Sequence, residues 1–400
     1  MNSYFMGLDY GTGGCKVCII NEKADVLAYA YRKYDIISNQ DNYSEHDVHD
    51  YWPATCSMIK ECMNKADVRP EDIRGIGTSS ALPSLVKVDK EGEPVHNAYN
   101  LMDRRADRQE QWLKEHIGAD EIFRLTGNRI EDHPILVNLL WEKENRPEDY
   151  KRIYKALTID GYIRMKLTGR MTAHHSAGVF YGVAYDLDNN RFDEGMLRRL
   201  GIEASVLPEF FRCEDIVGEV TGEAAKETGL VPGIEVAGGQ VDCNAGWIGA
   251  GATEVGDIQM NLGTCGNMGI VRNTKEKFRD MFNLQYTTDC TNTYITVTTT
   301  QTGGQCLRYM KENFAKLETA MEELIPDFDS YDYLNMEADK IPPGSEGLVV
   351  LPYLMGERTP IWDNDARGVV FGLSLYHTKA HLVRAMMEGV AYALYDSFII

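Results

Sequence analysis

Residues 5–20 read FMGLDYGTGGCKVCII. Two apolar runs, Phe5 to Leu8 and Val17 to Ile20, flank Gly11-Thr12-Gly13-Gly14, and one carboxylate, Asp9, follows the first run. Locally this reads as a β-hairpin, two strands joined by a glycine turn. A hairpin needs one or two glycines, whereas a run of small residues leaves backbone N–H groups uncovered for an anion. Thr12 and Lys16 add a hydroxyl and a positive charge. Two familiar phosphate loops do not account for the stretch. The pattern G-x-x-x-x-G-K-[ST] fails because no Gly-Lys pair followed by Ser or Thr occurs, and the dinucleotide fingerprint fails because Lys16 stands where its third glycine belongs.

The chain has 400 residues, enough for two domains with sizeable cores. Hydrophobic residues make up 44% and charged residues 26%, the balance of an ordinary globular protein. A formal net charge of −20 argues against nucleic acid or an anionic membrane as partner, so any phosphate site must be local. Nine cysteines are spread along the chain, Cys15, Cys56, Cys213 and Cys306 among them, with one C-x-x-C spacing, Cys15 and Cys18 in the opening stretch, and no zinc spacing; reduced thiols are expected. No secretory-type segment precedes the first strand and no apolar run is long enough for a bilayer, so a cytoplasmic enzyme or binding protein is expected. The charge runs Lys23 to Asp25 and Asp103 to Arg108 read as solvated faces.

An internal repeat extends the opening motif. DIQMNLGTCGNMGIV, residues 257–271, repeats the design of strand, Gly-Thr turn and strand, so LDYGTGGCKV and MNLGTCGNMG are two versions of one hairpin. One such hairpin heading each of two domains implies a nucleotide clamped in a cleft. The rest alternates. A helix is expected around Tyr51 to Lys65, a strand-like stretch over IRGIGTSSALPSLVKVD (73–89), helices in DRRADRQEQWLKEHIG and ILVNLLWEKEN, and strand, glycine turn and helix in GIEVAGGQVDCNAGWIGAGA. TYITVTTTQTGGQCLRYMKENF gives a strand, the Gly303-Gly304 turn and a helix start, a second place where backbone N–H groups can meet a phosphate. Pro342-Pro343-Gly344 marks a loop and GLVVLPYL a buried strand. The class is α/β.

Several motifs together resemble the FGGY family of carbohydrate kinases. They are Asp9-Tyr-Gly-Thr12, Ile159 to Gly169 (IDGYIRMKLTG), Gly229 to Asp242 (GLVPGIEVAGGQVD), Asn261-Leu-Gly-Thr264, Gly356 to Gly368 (GERTPIWDNDARG) and His381 to Gly389 (HLVRAMMEG). The resemblance covers essentially the whole chain. It implies two actin-like, ribonuclease-H-like domains with a cleft between them, residues 1–245 for sugar and 246–400 for nucleotide. ATP and Mg²⁺ are the implied cofactors, a small-molecule sugar the implied substrate, and a homodimer the macromolecular assembly left open.

Phosphoryl transfer needs backbone donors for phosphates, a carboxylate for the metal and a base for the accepting hydroxyl. On the resemblance, Asp9 holds Mg²⁺ through water. Gly11, Thr12 and Gly13, with Gly263, Thr264, Gly304 and Gln305, cup the phosphates. Asp242 contacts the sugar and is the catalytic base. It has a second reading as cap of the helix beginning near Cys243. Arg358 and Asp363 could form an ion pair that shapes a loop, and they are not read as catalytic. Asp103 and Arg105 lie where the family often carries a substrate-contacting Trp-x-Asp-x-Arg, with Leu101 in place of the Trp.

Departures from the family bear on the substrate. Xylulose kinases usually carry Gln-Met-His-Gly after the strand at 73–78, and this chain has Ala81-Leu82-Pro83-Ser84. Cys243 replaces the Asn that commonly follows the catalytic Asp, and the Arg-Glu pair of glycerol kinases is absent too. The GERTPIWD stretch leans toward a ketopentose such as xylulose; ribulose, glycerol and erythritol are the alternatives. The family's adenine-binding stretch falls beyond Ile400, and apolar Phe398, Ile399 and Ile400 are unlike a solvated terminus, so a truncated chain is expected. A non-catalytic ATP switch of the actin or Hsp70 kind shares the hairpins but needs no Asp242 or GERTPIWD stretch. A glycoside hydrolase explains neither hairpin.

Overall fold

The computed structural model describes residues 3–286, 289, 292–325 and 328–399. Cys290 and Ile400, which enter the readings of cysteines and terminus above, lie outside the described residues. The chain divides into two units. One comprises Met1–Thr253, Asn273–Lys277 and Leu284–Tyr294; the other comprises Glu254–Arg272, Phe278–Asn283 and Ile295–Ile400.

The first unit is built on the opening hairpin. Strand Tyr4–Tyr10 alternates in burial, with Met6, Leu8 and Tyr10 inside, and strand Gly14–Asn21 does the same with Cys15, Val17 and Ile19. That period of two is what half-buried strands require. A seven-stranded sheet forms in the order Ile216–Glu219, Glu235–Ala237, Ile73–Ser80, Tyr4–Tyr10, Gly14–Asn21, Val26–Lys33, with Gln240–Val241 also paired to Ile73–Ser80. Strands Tyr4–Tyr10 and Ile73–Ser80 run parallel, in a register that sets Asp9 beside Ser79 and Tyr10 beside Ser80. Gln240 and Val241 pair with the same Ser79 and Ser80 from the other side. Helix Tyr51–Ala66 covers the sheet with a stripe of Tyr51, Thr55, Met58, Ile59 and Cys62, the three- and four-residue spacing of an amphipathic helix. A second core, around Leu113, Ile135, Leu139 and Tyr181, belongs to the helical insertion that follows.

The second unit carries a four-stranded sheet in the order Ile258–Leu262, Gly266–Arg272, Tyr294–Thr300, Phe282–Gln285. Helices Gln305–Phe314, Ser330–Asp339 and Lys379–Phe398 close a core of Cys306, Met310, Leu334, Val350, Val383 and Met386.

Two expectations are corrected. GLVVLPYL gives strand Val349–Leu351, but only Val350 is buried; Val349 is 51% and Leu351 41% exposed. Helix Lys379–Phe398 reaches that strand from one side, where a Cβ on Gly389 would come within 2.6 Å of the Val350 carbonyl oxygen. The strand's other partner is Val369–Phe371, a two-stranded pairing in which Phe371 is 72% exposed. The charge run at Asp103 to Arg108 is not a solvated face throughout, because Asp103 and Arg105 are buried against each other. Among the described residues eight cysteines are free thiols, and no helix is long and apolar enough to cross a membrane.

Candidate active site

The sheet register brings two distant carboxylates to one edge. Asp9 is the last residue but one of strand Tyr4–Tyr10, and Asp242 directly follows Val241, which pairs with Ser80 on the adjacent strand. Asp9 Oδ1 accepts a 2.8 Å hydrogen bond from Ser79 Oγ, and Oδ2 lies 3.1 Å from Lys16 Nζ. Lys16 is thereby tied to the carboxylate directly opposite it in the hairpin. Burial pulls its ammonium pKa down, but the charge and hydrogen bond of Asp9 outweigh that and the net shift is upward.

Asp242 is the first residue of helix Asp242–Gly249. The cap position is Val241, and the Asp242 side chain caps nothing beyond its neighbour: Oδ1 accepts from Cys243 N at 2.7 Å. Its carboxyl is pushed up to about 7, first by burial and then by the negative charge of Asp9; the Cys243 N–H and Lys16 oppose the shift. A carboxyl balanced near neutral pH can exchange a proton with a substrate hydroxyl. Behind it runs a buried polar chain in which Ser80 Oγ donates to Asp160 Oδ1 at 2.7 Å and Arg164 pairs with Asp160. His174 joins Asp160 to Ser176, whose Oγ accepts from Val241 N at 3.2 Å.

The first glycine turn is braced from beneath. Gly11 N donates to Gly14 O at 3.0 Å, and Tyr34 OH donates to Gly11 O at 2.5 Å. The Thr12 backbone hydrogen-bonds His46, whose pKa burial lowers to about 4. Gly14 is required by packing, since a Cβ there would lie 2.5 Å from Arg32 O. Gly11 and Gly13 are different. Neither has a positive φ, a Cβ on Gly13 would meet nothing within 4 Å, and one on Gly11 only Gly14 O at 3.5 Å.

The second unit repeats the pattern. Strands Ile258–Leu262 and Gly266–Arg272 pair antiparallel, Leu262 opposite Gly266 and Asn261 opposite Asn267 where the first hairpin has Asp9 opposite Lys16. Gly263, Thr264, Gly304 and Gln305 come together: Gly304 N donates to Gly263 O at 2.7 Å, and Gly303 N and Gln305 N donate to Thr264 O at 2.8 and 3.3 Å. Those three amides, expected to face a phosphate, face the hairpin. Cβ atoms on Gly303 and Gly304 would come within 2.6 Å of the Cys265 carbonyl carbon and 2.7 Å of Gly263 O, so backbone lies directly on backbone. Gly263 itself has only Cys265 O, at 4.0 Å, in its Cβ space.

Asp103 does not join this group. It is fully buried, with Oδ2 taking Ser44 N at 2.7 Å and Arg105 Nη2 at 2.7 Å and Oδ1 taking Arg105 Nε at 2.8 Å, so it holds a segment rather than offering an oxygen to a sugar. Arg358 and Asp363 form no ion pair among the described residues; the loop is closed by backbone bonds between Glu357 and Asp363. Residues 81–84 are buried, and Ser84 Oγ is spent on Ile159 N. Sequence reasoning missed Ser79 and Glu357. Ser79 had a signal, the Thr-Ser-Ser that ends an otherwise apolar strand.

Family models match the chain over most of its length. The FGGY family of carbohydrate kinases, N-terminal domain, matches residues 4–249, and the C-terminal domain of the same family matches residues 259–397. A xylulose kinase of Bacillus subtilis (strain 168) is 29% identical over 397 residues, 98% of this chain and 76% of that protein. A gluconokinase of the same strain is 29% identical over 405 residues, 100% of this chain and 77% of that protein. The crystal structure of a xylulose kinase from Rhodospirillum rubrum superposes with a TM-score of 0.87 at 27% identity, covering 98% of this chain and 77% of that one. On these matches across both units, the chain belongs to the FGGY family of carbohydrate kinases.

Proposed function

We propose that this sugar kinase transfers a phosphoryl group from ATP to a neutral ketose, a ketopentose of the xylulose kind, with Asp242 as the base. The observation that carries the reading is Asp242 itself, a carboxyl pushed up to about 7 beside a second carboxylate at a sheet edge. Its Oδ1 is occupied by Cys243 N, which leaves Oδ2 to take the proton of the acceptor hydroxyl as that oxygen attacks phosphorus. The Thr12 and Gly13 amides in one hairpin and the Thr264 amide in the other hold nucleotide phosphates, while Gly11 and Gly263, whose own amides donate to Gly14 O and Cys265 O, leave room for them. The open Cβ space at Gly13 and Gly263 supports this, because neither packing nor dihedral angles demand glycine there and a phosphate approaching the backbone does.

A Mg²⁺ ion fits this donor set in one form. Among the described residues no cluster of three His, Cys, Asp or Glu could hold a metal alone, whereas Mg²⁺ usually keeps its waters and rides on one or two carboxylates and substrate phosphates. Asp9 is the residue that would hold it. The ion would supply charge neutralisation at the transferring phosphoryl group.

Charge favours a neutral sugar over an aldonate. Lys16, the cation that acts on both Asp9 and Asp242, is engaged by Asp9, so a substrate carboxylate would enter beside two negative groups. The test is a panel of ketoses, aldoses, polyols and gluconate, each scored for acceptor-dependent ADP release. Xylulose or another ketopentose is expected to give the highest kcat/KM; gluconate as the preferred acceptor would refute the charge argument.

A further inference from the structure

The GERTPIWD stretch contributes one side chain whose bonds lead to the second hairpin. Glu357 is 2% exposed, and the three donors it accepts from are all uncharged: Thr300 Oγ1 at 2.8 Å, Gln301 N at 2.8 Å and Arg358 N at 2.6 Å. A carboxylate held out of water costs free energy unless such bonds satisfy it, so removing it leaves buried donors unpaired. These bonds fix the end of strand Tyr294–Thr300, and Thr359 N adds a 3.0 Å bond to Thr299 O. Two residues beyond Gln301, Gly303 and then Gly304 place their amides on the Thr264 and Gly263 carbonyls. Thr300 also presses on the hairpin directly, its Cγ2 lying 2.7 Å from where a Gly266 Cβ would be.

We infer that Glu357 is a positioning residue for nucleotide binding: it clamps Thr300 and Gln301, and through them sets the Gly263-Thr264 turn. The inference rests on the reading above that this turn carries nucleotide phosphate. Phosphate cradles depend on backbone N–H groups held to about 0.5 Å, and loosening the strand end by removing its clamp shifts the turn without touching the ligand.

The experiment compares Glu357→Ala, Glu357→Gln, Thr300→Val and Gly263→Ala in the full chain, measuring KM for ATP, KM for the sugar and melting temperature. Glu357→Ala should raise the ATP KM by roughly tenfold or more, the scale on which sub-ångström misplacement is felt, while the sugar KM stays within about twofold. Glu357→Gln keeps the shape and can bond all three partners, so it should restore ATP KM to within about threefold of the parent. Should Glu357→Ala fail to fold, Thr300→Val, which keeps the methyl group against Gly266 and removes the hydroxyl, should still raise ATP KM alone. An unchanged ATP KM in folded Glu357→Ala or Thr300→Val, with a raised one in Gly263→Ala, overturns the inference and leaves the hairpin reading standing. If Gly263→Ala has no effect either, the hairpin reading fails and takes the inference with it. Equal rises in both KM values assign Glu357 to general stability and overturn its positioning role.

Discussion

Asp242 illustrates what a single residue can carry. An exposed aspartate titrates near ~4, and this one is moved to about 7 by burial and by Asp9. Two consequences differ in sign. As a base it must be unprotonated, so kcat should fall below pH 7, approaching about tenfold per pH unit. For stability, the folded state keeps the proton to higher pH than the unfolded state. The carboxyl therefore costs nothing below the unfolded value and becomes progressively destabilising as pH rises toward 7. Asp242→Asn, nearly isosteric and unable to accept a proton, should lose roughly 10²-fold or more in turnover while still binding nucleotide. It should also melt above the parent at pH 8, with the gap closing toward pH 4. Turnover near the parent level would return Asp242 to a structural role at the start of its helix.

At the scale of elements, the two hairpins separate glycines that the fold needs from glycines that it does not. Gly303→Ala drives a methyl group into the Cys265 backbone and should cost about 1–3 kcal/mol, as overpacking does. Gly13→Ala meets nothing and should change stability by no more than about 0.5 kcal/mol while weakening ATP more than sugar. Calorimetry and thermal melts on the pair decide it, and equal destabilisation would remove the argument that open glycines mark a ligand. Much of this was legible in sequence. The hairpins, helix Tyr51–Ala66 and the strand, turn and helix around Asp242 follow from period and glycine placement, and the repeated Gly-Thr motif pointed to both turns. Three things were not legible. Asp103 looked exposed within a run of charge, because a sequence does not show that Arg105 folds back onto it. Val349–Leu351 looked buried because apolar composition does not reveal that only one of its faces is covered. Glu357 was invisible because its partners, Thr300 and Gln301, lie more than fifty residues away.

For the whole molecule the governing quantity is a net charge of −20 with a sequence pI near 4.9. Such a surface offers a nucleotide no general attraction, which favours local phosphate donors, backbone amides in short turns, over a basic patch. The same charge acts on another feature, the half-covered strands of the second unit. Val349, Leu351, Val369 and Phe371 present apolar side chains on a short two-stranded pairing, the kind of surface on which molecules stick. Near neutral pH mutual repulsion between copies opposes that contact; toward pH 4.9, or in high salt where the Debye length shrinks to ~3 Å at 1 M, it does not. Light scattering should therefore report reversible self-association that grows as pH falls toward the pI and as salt is added, and that Phe371→Lys suppresses. An unchanged signal in that variant would trace the association to another surface. On this prediction the buffer in which kinetics are measurable depends on apolar side chains far in sequence from Asp9 and Asp242.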